Sequence, residues 1–457
     1  MTTPGRLLVL SLLLASTAGG TALAQKKKSD DEQRCRLELV RVQRRGVRVE
    51  TAPGVVNMFA GGDVHVKCRD QDVNMFADSV AIFGENVAQF IGKVRYRDST
   101  TAMDADFGQY NKVGRDEYFD AQGRVVHTDL ATKSTIKGPR IIYYRPIEGI
   151  RDEAEVFADR RPTVEYFIED STTRNPEPYV IVGDRVKMNG GDALYVAGRV
   201  TVDRSDLNAR SDSLWLDTGE ANAGQLIGNA NLKGGDRDTF DLTGKTIDLS
   251  LESKRVDGML ARENAKLVGK DLSLDADSIR LGMTDGKVDV TRAWGGKTRP
   301  HAVTADYEAK GDSLVIESPE QKLSSLRSYG DAWVGLKTDS ASGERDWISG
   351  GVVEVDFVER DSLGVKTTAV KEVRAERSAH TYYRMAAETP GGRASVNYTR
   401  ADKIRVVMLV DALKNEVERV FAEGNVDGVH LQPGVLRADS TRADSTARRP
   451  NTTRQRR

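Results

Sequence analysis

Apolar and polar residues alternate with a period of two along most of this chain, from about residue 35 to 437. Ile247-Leu249-Leu251, Val288-Val290, Val303-Ala305-Tyr307, Leu314-Ile316, Ala332-Val334-Leu336, Val353-Val355-Phe357 and Ile404-Val406-Met408-Val410 follow the pattern, and Lys, Arg, Asp, Glu, Ser or Thr fills most positions between. A strand sends successive side chains to opposite faces, so this period predicts strands with one dry face and one wet face. Gly234-Gly235-Asp236, Thr284-Asp285-Gly286-Lys287, Gly295-Gly296-Lys297 and Pro390-Gly391-Gly392 separate such runs and supply the positive-φ residues that hairpins need. Amphipathic helical windows are nearly absent. Residues 411–421 admit one through Ala412, Leu413, Val417 and Val420, but Val417, Val420 and Gly424-Asn425-Val426 suit two strands and a turn better.

Superimposed on the alternation is a glycine-led cassette. One copy runs Gly62-Asp63-Val64-His65-Val66, then Asp72, then Ala77-Asp78-Ser79 ahead of Val80 and Ile82. Another runs Gly198-Arg199-Val200-Thr201-Val202, then Asp206, then Ser211-Asp212-Ser213 ahead of Leu214 and Leu216. Weaker copies start at Gly92, Gly228 and Gly424, and a partial one keeps Leu272-Ser273-Leu274-Asp275-Ala276-Asp277-Ser278 followed by Ile279 and Leu281. Repetition of this kind is the signature of elongated, stacked architectures rather than of a catalytic globule. The acids that recur with it are expected to end strands and accept turn N–H bonds.

The pattern Gly-x-Val-x-Val, a spacer with Asp, then Ala/Ser-Asp and an alternating strand resembles the OstA-like (LptA-type) repeat of lipopolysaccharide-transport proteins. Val417-Glu418-Arg419-Val420-Phe421-Ala422-Glu423-Gly424-Asn425-Val426 is the closest stretch, and Leu226-Ile227-Gly228-Asn229-Ala230 and Tyr195-Val196-Ala197-Gly198-Arg199-Val200 are similar. The resemblance implies an all-β fold, an elongated two-sheet antiparallel β-jellyroll open along one side, whose dry interior holds lipid acyl chains. It implies binding and transport, or bridging, of lipopolysaccharide or a related glycolipid toward the outer membrane. The candidate lipid-facing residues are the inward aliphatics Val64, Val66, Val80, Ile82, Val200, Val202, Leu214, Leu216, Ile247, Leu249, Leu272, Leu274, Ile279 and Leu281. These medium-sized side chains favour an open trough over a filled core. Units of about 11 residues would give about 36 strands in two sheets, a stack on the order of 85 Å long. Copies lack a uniform register, and a proline-rich stretch interrupts them. The unpaired end strands would admit other envelope lipid-transport components by β-augmentation, or a second copy head to tail.

Composition agrees with a solvated, turn-rich chain. Of 457 residues, 30% are charged and 6% aromatic, so a single spherical core is not expected; the net charge of −1 gives no whole-molecule attraction for nucleic acid. The start reads as an export signal over residues 1–24, with Arg6, the apolar run Leu7 to Leu14 and an Ala22-Leu23-Ala24 cleavage site, which places the mature protein in the periplasm. The organisation expected from there is a first β-segment at 25–137, a proline- and aromatic-rich insert or joint at 138–180, a second β-segment at 181–437, and a disordered basic tail at 438–457. Cys35 and Cys68 each share a face with aliphatic residues; an oxidising compartment would allow a disulfide closing about 32 residues and contributing roughly 3–4 kcal/mol, with two buried free thiols as the alternative.

No catalytic or cofactor pattern accompanies the repeat. The histidines His65, His127, His301, His380 and His430 are isolated, with no metal-ligand spacing; weak calcium binding by the Ala-Asp-Ser acids is the one metal alternative. Gly190-Gly191-Asp192 lacks the Lys-Ser/Thr of a phosphate loop, and no serine shows a nucleophile elbow. The chain is therefore read as a non-enzyme without cofactor. The rivals to lipid transport are a filled structural β-solenoid without cargo, a carbohydrate-active β-helix and a transmembrane barrel; the last lacks aromatic girdles. Trp215 and Trp333 fall opposite their strands' aliphatic sets and should lie on the outer face.

Overall fold

The computed structural model describes residues 35–432 except 70, 168–176, 235–239, 253–254, 271, 305, 337–344, 363–364, 386–394 and 411–415. The expected export signal at 1–24, the expected basic tail at 438–457 and the first half of the helical window at 411–421 thus lie outside the described residues; Glu416–Glu423, with Val417 and Val420, is a strand. Twenty-eight strands and one 3-10 turn, Pro319–Gln321, form the regular structure of the described residues. Neighbouring strands pair antiparallel, mostly in chain order. The fold is all-β.

Most long strands are bent in the middle. In Val55–Cys68, residues 57–61 pair with 79–83 and residues 64–67 with 74–77, while Gly62 and Asp63, at φ 80° and 50°, are left out of the ladder. The same two-residue skip recurs at Gly92-Lys93, Gly198-Arg199, Gly228-Asn229 and Gly330-Asp331. Each skip is a bulge that re-aims the chain, and it divides one strand between two ladders. A first wing runs from Arg44–Ala52 through residues 55–61, 79–83, 140–144, 193–197, 213–217, 278–284 and 325–329 to Glu416–Glu423. A second runs from Leu37–Arg41 through residues 64–68, 163–166, 200–204, 273–276 and 332–336 to Asp427–Leu431.

In the proline-rich stretch the bent strands are replaced by separate short ones. Glu155–Asp159 continues the first wing and Thr163–Tyr166 the second, with Pro162 in the gap where no ladder N–H is needed. Both ladders pass through this region. The count of about 36 strands took one strand for each unit of about 11 residues. The bends instead run through the strands, so each wing holds about 22 segments among the described residues, a contour on the order of 100 Å at about 4.8 Å per rung.

The cassette acids Asp78, Asp212 and Asp277 sit at bends inside strands rather than at their ends, whereas the equivalent Asp184 lies between Tyr179–Val182 and Arg185–Asn189. A Cβ on Gly198, whose φ is 84°, would lie 2.5 Å from Asp184 Oδ2, so both the backbone angle and the carboxylate disfavour any side chain there. Asp106 takes the same place beside Gly123 and accepts the Arg124 N–H at 3.0 Å. Asp277 accepts N–H bonds from Gly296, Lys297 and Thr298 at 2.6, 2.7 and 2.9 Å. The expected acceptor role is present, and its location explains why Gly and Asp recur together.

The wings face one another. Tyr96 of the second wing meets Phe119 of the first at 5.1 Å between ring centroids and Tyr143 of the first at 5.4 Å, and near the other end Tyr307 meets Phe357 at 5.2 Å. The inward side chains of both wings form a single apolar core along the molecule. Cys35 and Cys68 are joined by a disulfide that ties the entry of the first strand to the end of Val55–Cys68.

Candidate functional site

The space between the wings is the surface that all the sequence-selected aliphatics address. Val64, Val66, Val80, Ile82, Val200, Val202, Leu214, Leu216, Ile247, Leu274, Ile279 and Leu281 are buried there, none more than 8% exposed. Leu249 is partly buried against the same core, and Leu272 is partly buried just before its strand begins at Ser273. The structure thus gathers them along one interior, packed against protein.

That interior also holds large side chains beside the medium aliphatics that the alternation pointed to. Phe90, Phe119, Tyr143, Tyr166, Met75 and Met103 are fully buried in its N-terminal and central part. These large side chains come from positions far apart in the chain, and together they fill the space between the wings. Their polar tips are anchored. Asp98 accepts Tyr143 Oη at 2.8 Å, Tyr96 Oη at 3.1 Å, and the Thr100 and Thr101 N–H groups at 2.9 and 2.7 Å. Burial, reinforced by the Asp98 charge, holds the Tyr96 and Tyr143 hydroxyls above their usual range. A buried pair, Arg145 with Glu117 at 2.7 Å, closes the N-terminal end, and the Cys35 N–H donates to Glu117 Oε1 at 2.8 Å.

His127 is inward too. Its ring lies 5.9 Å from Tyr143, and neither nitrogen meets a hydrogen-bonding group of the protein. Burial pushes its pKa down to about 4 against the opposing pull of the Asp129 and Asp98 charges, so the ring is neutral at ordinary pH.

Toward the C-terminal end the packing loosens. A crevice of about 40 Å³ opens between Tyr307, Val334, Leu336 and Ile348 of the second wing and Val355, Val373, Val406 and Met408 of the first. Both walls are apolar apart from Thr381, whose hydroxyl is tied to the Trp347 carbonyl at 3.0 Å, and Asp346, held by Arg384 at 3.0 Å. The Tyr307–Phe357 contact bridges the wings beside it. Sequence reasoning saw these alternating runs but did not select them. Only the looser packing distinguishes them, and that depends on which rings lie opposite.

The outer faces carry cross-strand charge pairs, such as Arg327–Glu354 at 2.7 Å and Arg140–Asp120 at 2.9 Å. Trp215 and Trp333 lie on outward positions, the latter with Lys310 Nζ 5.2 Å from its ring centroid. Among the described residues, no group of three or more His, Cys, Asp or Glu side chains is arranged to hold a metal ion.

Compared with known proteins, the chain matches no family model and no curated protein.

Proposed function

We propose that the protein is a periplasmic β-jellyroll of the OstA-like type that binds the acyl chains of lipopolysaccharide or a related glycolipid between its wings. It carries or bridges that lipid toward the outer membrane without catalysing a reaction. The observation that carries this reading is the apolar crevice at the C-terminal end of a two-walled, continuous interior. An acyl chain of about twelve methylenes gains about 10 kcal/mol on leaving water. Separating an aromatic contact such as Tyr307–Phe357 costs about 1 kcal/mol beyond the apolar area it buries, and the entering chain covers that area again. The 40 Å³ crevice is too small for a chain as it stands, and this imbalance is what would let lipid part the wings there. The exposed end strands Arg44–Ala52 and Asp427–Leu431 supply the edges for β-augmentation by other transport components or by a second copy.

A second reading, a structural β-solenoid without cargo, is favoured by the rings of Phe90, Phe119, Tyr143 and Tyr166 that fill the remaining interior. Titration with a fluorescent acyl probe, followed by displacement with purified lipopolysaccharide, separates the two. Saturable probe binding that lipopolysaccharide reverses supports transport; absence of probe binding by the folded protein leaves the filled solenoid.

A further inference from the structure

The outer face of the first wing holds a feature that the interior does not explain. Phe157, Lys187, Tyr195, Trp215, Gln225 and Asp248 stand directly opposite one another on six consecutive strands of the ladder, forming one outward row. A depression of about 450 Å³ lies along it, lined by Phe157, Tyr195 and Trp215 together with the small Ala197 and Ser213 and by Ile227. Tyr195 is 43% exposed and Ile227 40%. A depression of this size, with flat rings and a few polar groups at its margin, falls in the volume range of small-ligand sites.

The polar groups on the row are positioned. Gln225 Nε2 donates to Asp248 at 2.6 Å, Asp248 also accepts Arg262 at 2.7 Å, and Lys187 Nζ lies 3.2 Å from Glu155 and 5.2 Å from the Phe157 ring centroid. Further along, the row passes Leu260 and reaches Arg280, directly opposite Arg292 on the next strand. Like charges in that relation destabilise a sheet. Arg262, Arg327, Arg374 and Arg405 on this face all have carboxylate partners. Arg280 and Arg292 are exposed and have none among the described residues, and Trp294 stands 38% exposed at the next outward position. Four strand steps, about 20 Å, separate Trp215 from Arg280.

We infer that this strip binds an acidic oligosaccharide. Sugar rings stack on Tyr195 and Trp215, Gln225 and Asp248 take hydroxyls, and a carboxylate or phosphate on the glycan sits between Arg280 and Arg292. The rings offer an apolar face to the sugar's C–H groups, and the arginine pair offers the forked donors that planar or tetrahedral anions fit. A single-stranded nucleic acid also needs rings and cations, but Asp248, Asp159 and Glu155 interleaved along the strip would repel its regular phosphates. The strip lies on the face opposite the lipid interior, so its test is independent of the lipid reading.

Calorimetric titration of the full chain with a hexasaccharide carrying one terminal uronate, a mannohexaose carrying one terminal phosphate, a neutral maltohexaose and a single-stranded oligonucleotide tests it. At least one acidic glycan is expected to bind ten-fold or more tightly than the neutral one. Arg280→Gln with Arg292→Gln should abolish that preference and flatten the salt dependence, whereas Tyr195→Ala with Trp215→Ala should weaken both glycan types. Thermal unfolding of each variant confirms folding, and a single Arg292→Gln is the milder control. Acidic glycans binding no better than neutral ones, unchanged binding by the folded variants, or tighter binding of the oligonucleotide would overturn the inference.

Discussion

Replacing His127 with leucine should make the protein more stable, and increasingly so as the pH falls. The imidazole sits in the aromatic core with no protein partner for either nitrogen, and burial depresses its pKa from 6.5 to about 4. Because the folded-state value is the lower one, the unfolded chain takes up a proton first as acid is added. The stability associated with a neutral His127 is whole above about pH 6.5 and drains away until about pH 4. At 1.36 kcal/mol per unit, the full loss is about 3 kcal/mol, and at pH 4.5 it is between about 2 and 3. Removing the unpaired nitrogens should itself stabilise by about 1–3 kcal/mol at pH 7.5. Urea unfolding of wild type and His127→Leu at both pH values, followed by circular dichroism, measures the difference. Carboxylates that titrate in the same range are common to both proteins and cancel. The gap in favour of the variant should widen by about 2–3 kcal/mol at pH 4.5. A gap equal at the two pH values would refute the reasoning, because it would mean the ring keeps its ordinary pKa and is hydrated or bonded.

Gly198→Ala forces a left-handed alanine against Asp184 and should cost about 2–3 kcal/mol, with Asp184→Ala in the same chain recovering part of it; melting temperatures of the single and double variants report this. Reduction of Cys35–Cys68, or Cys35→Ser with Cys68→Ser, opens a separation of 33 residues and should lower stability by about 3–4 kcal/mol in urea titrations. Phe357→Ala removes the ring that meets Tyr307 across the wings, so uptake of a fluorescent acyl probe should rise several-fold. Unchanged uptake by the folded variant would show that this contact does not bar the crevice.

The all-β class and the inward faces were legible because a strand's period of two is a direct consequence of its geometry. Val64, Val66, Leu214 and Ile279 were assigned on that basis and are buried. The bends were not legible by period, for a specific reason. Gly62 and Asp63 insert two residues, so Ala60 and Val64 keep the same parity and the alternation runs through the bend unbroken. Gly and Asp marked the place, but their meaning depends on Asp184 meeting Gly198 across strands, which no local pattern reveals. The filled interior was missed likewise, since Tyr96, Phe119 and Tyr143 converge only once their strands pair. On the outer face, Trp215 was legible as outward, but the row with Phe157, Tyr195 and Gln225 required the register.

Photo-crosslinking tests the central claim most directly. A crosslinker is placed at Met408 in the crevice, another at the partly buried Leu249, and a control at the exposed Lys245, and the folded protein is irradiated with lipopolysaccharide. Lipid entering at the crevice should label Met408 strongly, label Leu249 only if it travels the eight rungs, about 38 Å, between them, and leave Lys245 unlabelled. Absence of label at Met408, or equal label at Met408 and Lys245, would contradict lipid binding between the wings.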